Sequence, residues 1–76
     1  MKDILQTIIL NLVDNKEAVE IKEIDGEKSV IFEVKVDQND MGKIIGKQGR
    51  LAKSIRTVIK AVANKEQKRV SVEFIG

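Results

Sequence analysis

Seventy-six residues with 14 Lys and Arg against 12 Asp and Glu, and with no His, Cys, Pro, Trp or Tyr, leave room for one domain over residues 1–76 and little specialised chemistry. Such a chain buries only about 60% of its unfolded surface and lacks the thiols and imidazoles of disulfide, zinc and common acid–base sites, so its expected role needs no catalysis, metal or cofactor. The net charge of +2 is unevenly laid down: five basic against ten acidic residues over 1–40 (−5), but nine against one over 41–69 (+8), the kind of basic segment that a polyphosphate attracts.

No apolar run exceeds three residues, as at 8–10 and 30–32, far short of a membrane helix or a signal peptide, and the expectation is a soluble, cytoplasmic chain ordered from near Met1 to near Gly76. Ile4, Leu5, Ile8, Ile9, Leu12 and Val13 recur at helical spacing and predict an amphipathic helix over 2–14. Val19 and Ile21, then Val30, Phe32, Val34 and Val36, alternate with polar residues as half-buried strands do. Asp25-Gly26 between them predicts a tight turn in a hairpin over 18–37, with glycine supplying positive φ. Asp37 and Asp40 read as helix-capping residues before a short apolar segment that contains Met41, a core filler. Gly46-Lys47-Gln48-Gly49 interrupts the chain, a second long helix is predicted over 50–64, and Val70, Val72 and Phe74 alternate as a last strand. The fold class is α+β in the order αββααβ, a three-stranded sheet packed against three helices.

On the long helix Leu51, Ala52, Ile55, Val58, Ile59, Val62 and Ala63 share one side, with Leu51, Ile55, Val58 and Val62 at its centre. Arg50, Lys53, Arg56 and Lys60 form a basic stripe opposite, continuing from Lys43 and Lys47. Ala52, Ile59 and Ala63 sit at the edge of the apolar arc, where a small sheet leaves apolar surface open to a second copy of the chain. Ser29, Ser54 and Ser71 have no histidine to activate them.

Glycine-rich turns that open a helix suit anions, because amide groups approach closely and the helix start is partly positive. Gly42 to Lys47 is one residue short of a P-loop, Gln48 stands where that loop needs a hydroxyl, and no dinucleotide-binding glycine pattern is present. The run Ile44-Ile45-Gly46-Lys47-Gln48-Gly49-Arg50-Leu51-Ala52-Lys53-Ser54-Ile55, a GxxG turn between two helices, resembles the KH family, and the element order is that of its type II arrangement.

The resemblance implies that the turn clamps the backbone of about four unpaired nucleotides while their bases lie in an apolar groove. Gly46 and Gly49 would bring amides to the phosphates; Lys47, Arg50 and Lys53 would neutralise them, with Lys43 and Arg56 extending the track. Gln48 would donate a hydrogen bond, and either Ile44 or Ile45, with Ile45 preferred, would face the groove. It further implies a single-stranded RNA-binding protein, an RNA chaperone or post-transcriptional regulator. Its partners would be a second copy or a larger KH protein linked to cell elongation and division, with effects on cell shape and wall organisation. The competing readings are a pure dimerisation module and a helix-turn-helix DNA binder with the long helix in a major groove.

Overall fold

The sequence pattern puts one helix before a hairpin and a glycine-broken helical stretch before a last strand, and the computed structural model, which describes residues 1–75, has that arrangement. Gly76, expected to fray, lies outside the described residues. Helix α1 spans Lys2–Leu12, β1 Glu20–Asp25, β2 Ser29–Lys35, α2 Gln38–Lys65 and β3 Arg69–Ile75, with a 3₁₀ turn at Lys16–Ala18. The α+β class holds. Two of the expected helices are the limbs of α2, roughly residues 38–45 and 50–65, separated by four residues with non-helical dihedrals.

Strand β2 is central, antiparallel to β1 and parallel to β3. Its period-two pattern sends Val30, Phe32 and Val34 into the core, where they meet Leu5, Ile9, Ile44, Ile55 and Ile59. Edge strand β1 carries Glu20, Lys22 and Glu23 and is mostly exposed, the usual way of keeping an open edge from pairing with other chains. Within α1, Leu5 and Ile9 are buried whereas Ile4 is 41% exposed, so the apolar stripe is narrower than its residue count suggests.

The hairpin turn differs from expectation. Gly26 N–H donates to Ser29 O at 2.7 Å, which leaves Glu27 and Lys28 at the tip. Gly26 is not among the described residues with positive φ. Its bareness serves closeness instead, since a Cβ there would sit 3.1 Å from Ser29 Oγ and 3.3 Å from Ser29 O. The start of β3 is tied to the same tip: Arg69 N–H donates to Lys28 O and Lys68 pairs with Asp25 at 3.1 Å. The long helix ends in a Schellman arrangement, with Lys68 N–H donating to Ala63 O, Gln67 N–H donating to Asn64 O, and Gln67 at φ 58°.

The buried face of the long limb is rotated from the expected one. Ala52, Ile55, Ile59 and Ala63 are its centre, Ile59 and Ala63 at 0% exposure, whereas Val58 is 46% exposed. The expected dimer edge of Ala52, Ile59 and Ala63 is therefore corrected: these residues are core. The two alanines give the reason, because small side chains let the helix approach the sheet closely, and that line of contact becomes the seam.

Candidate nucleic-acid interface

Asp37 caps the first limb of α2, its carboxylate accepting Asn39 N–H at 2.9 Å. That limb ends at Gly46, whose φ of −57° and ψ of 166° break the helix. Lys47, Gln48 and Gly49 then take three successive left-handed conformations, φ 55°, 62° and 71°, and the second limb restarts at Arg50. Only glycine adopts this region freely; at Lys47 and Gln48 it costs about 1–2 kcal/mol each. Held strain of this sort collects at sites where a chain meets a ligand.

Gly46 has an ordinary backbone, and nothing lies within 4 Å of where its Cβ would be. The same is true of Gly42, four residues earlier on the same helical face and in a position where glycine costs about 1 kcal/mol relative to alanine. Neither glycine is required by its own fold. Together they form the bare floor of an open groove of about 530 Å³, walled by Leu51 and Ser54 and rimmed by Lys43, Lys47 and Arg50. Ser54 spends its proton on Arg50 O at 3.0 Å, which leaves its oxygen as an acceptor. A flat apolar group carrying an anion fits this combination.

The sequence-predicted residues do not all gather here. Gly46, Lys47, Gly49 and Arg50 belong to the turn and groove, and Gln48 lies exposed beside Lys47 and Arg50. Lys53 follows along the long limb, next to Arg50, Ser54, Thr57 and Val58. Ile44 goes to the core; Ile45 is 51% exposed but is not part of the groove lining, and Leu51 provides the apolar wall in its place. Arg56 leaves the expected track. Its Nε donates to Val72 O at 3.0 Å and its guanidinium lies 5.3 Å from the Phe74 ring centroid, so it covers the open edge of β3. The single basic stripe is thus two flanks, one facing the turn and the other, with Lys60, facing β3.

Lys43 reaches the groove rim but is held by acids. Its Nζ bonds to Asp14 and lies 3.8 Å from Asp40, and the bond to Asp14 raises its pKa above the ordinary lysine value. Asp40, only 2% exposed, accepts Asp14 N–H at 3.0 Å and Asn15 N–H at 3.1 Å. Those two bonds, the one from Asp14 first, hold its carboxyl below the ordinary value of 3.8. A depressed native pKa stabilises the fold above that value, and the contribution is lost as pH falls through the native one. The melting temperature of Asp40→Asn is expected several degrees below wild type at pH 7, with the gap closing below about pH 4. Thermal melts across pH check this, and a gap independent of pH contradicts it.

Sequence reasoning missed Gly42, Leu51 and Ser54 as groove residues and Asp14 as the partner of Lys43. The helical spacing of Gly42 and Gly46 was an available signal; the Asp14 pairing, across 29 residues, had none.

Two helical limbs joined by a left-handed GxxG turn and laid on a three-stranded sheet define a KH-type module. Residues 2–74 match the family described as KhpA/KhpB, KH domain, and the chain belongs to that family. It is 60% identical over 75 residues to the RNA-binding protein KhpA of Clostridium acetobutylicum, covering 99% of this chain and 100% of that relative. It is 57% identical to the RNA-binding protein KhpA of Caldanaerobacter subterraneus, with the same coverage. For that of Aquifex aeolicus the identity is 47%, over 99% of this chain and 95% of the relative.

Proposed function

We propose that the chain binds unpaired RNA without catalysis, gripping the sugar–phosphate backbone at residues 46–49 and seating a base on the bare floor beside it. The observation that carries the reading is the pair Gly42 and Gly46, two glycines on one face with open space above them and cations at the rim. Relatives named as RNA-binding proteins support the same class of ligand. Phe32 and Phe74 are the only aromatic residues, and Phe32 is fully buried, so stacking adds little and weak, loosely selective binding follows. Weak grip on many RNAs suits a chaperone or post-transcriptional regulator. The KH resemblance extends the reading to a second copy or a larger KH protein as partner, tied to cell elongation; Val58 is the exposed large apolar residue of the long limb that would serve such a contact. Among the described residues, no helix is long and apolar enough to cross a membrane.

A salt titration tests the reading. Lys47, Arg50 and Lys53 are three cations at the turn, and at about −0.7 per contact on a single strand the slope of log affinity against log salt is about −2. Gly42→Leu fills the groove with a side chain that favours helix, and is expected to weaken binding about tenfold with that slope unchanged. Fluorescence anisotropy with short single-stranded RNA, and with duplex DNA as competitor, reads both. A flat salt dependence, or duplex DNA displacing the RNA efficiently, overturns the proposal.

A further inference from the structure

We propose that Asp14 withholds Lys43 from the RNA, so that the loop after α1 sets how strongly the groove holds phosphate. The inference rests on the RNA reading above. Lys43 stands at the rim beside the bare floor, and its Nζ is bonded to the Asp14 carboxylate with Asp40 3.8 Å away.

An exposed ion pair on two free side chains is ordinarily loose, because ordering both costs about what the attraction returns. Here one end is built in. Buried Asp40 accepts the N–H groups of Asp14 and Asn15, and Asn15 Nδ2 donates to Asp37 at 3.2 Å, so the loop is tied at both residues to the first turn of α2. Lys43 is one turn further along the same helix. The Asp14 side chain itself is 83% exposed, so nothing in the packing of the fold asks for a carboxylate there. Its placement has one evident consequence, the neutralisation of a groove lysine.

Whether Lys43 leaves Asp14 for a phosphate or shares its three N–H donors between the two, the carboxylate remains beside the RNA as a competing negative charge. The phosphate track of Lys53, Arg50 and Lys47 therefore stops at Lys47, short of Lys43. Asp14→Asn frees the lysine and removes the competing charge in one change. At about 0.7 of salt slope per phosphate contact, one more contact is a gain of about fivefold in affinity near 0.1 M salt, and the slope steepens by the same 0.7.

The test is a four-protein cycle: wild type, Asp14→Asn, Lys43→Gln and the double variant. Each is titrated with a short fluorescein-labelled single-stranded RNA of mixed sequence, and melting curves confirm the fold. The expected result is a gain of about fivefold with a slope steeper by about 0.7 for Asp14→Asn, and a clearly smaller gain with an unchanged slope when Lys43 is already Gln, where only the repulsion of a free carboxylate is removed. An equal gain in the Lys43→Gln background shows a general charge effect and overturns the inference, as does no gain in either background while wild type binds. No RNA binding by any of the four overturns the RNA reading itself and this inference with it.

Discussion

Lys47→Asp combined with Gln48→Asp is expected to lower affinity for unpaired RNA at least about a hundredfold near 0.1 M salt, while the chain stays folded. The change replaces one cation and one neutral donor at the turn with two carboxylates, shifting the net charge from +2 to −1. Loss of the Lys47 contact accounts for about fivefold. Two acids facing phosphates add like-charge repulsion of several kcal/mol, each 1.4 of which is about tenfold. The fold has reasons to survive. Both side chains are exposed, and aspartate accepts the left-handed backbone at φ 55° and 62° better than most residues. Negative charge just ahead of the limb that begins at Arg50 also complements the helix dipole. Anisotropy titrations with circular dichroism melts read the outcome. A folded double variant binding within about threefold of wild type removes the turn from the mechanism.

Much of this site was legible because its signals are local. Gly46 and Gly49 are four residues from one end of the turn to the other, and the apolar spacing on either side marks where helix stops and restarts. The strands were equally plain, since Val30, Phe32 and Val34 alternate and all three are buried. What escaped depends on contacts distant in sequence. Helical angles define an apolar arc from Leu51 to Ala63 but not the line along which it meets the sheet, and the two alanines moved that line away from Val58. Arg56 shares the basic arc with Lys53, yet the Val72 carbonyl and the Phe74 ring draw it to β3. Lys43 counts as a free cation in the composition and as half of an ion pair in the fold. Charge totals over a segment thus overstate the cations available to a ligand.

Ile59→Tyr separates a core residue from a surface one, and the expected result is loss of most of the stability. Ile59 is fully buried in the cluster that joins the long limb to Phe32 and Leu5. A larger ring forced into that space costs about 1–3 kcal/mol in displaced neighbours. Its hydroxyl, buried without a partner, costs about 1–3 kcal/mol more. Together these approach the 5 kcal/mol or so at the lower end of what a small domain possesses. Val58→Tyr is the matched control. One position away and half exposed, it adds the same side chain where solvent can take it, and its effect is expected within about 0.5 kcal/mol. Urea midpoints for the three proteins, with sedimentation to read their mass, decide the matter. An Ile59→Tyr chain that keeps the wild-type midpoint and changes only in mass would put Ile59 at an interface between chains; a fall in midpoint confined to that variant keeps it in the core.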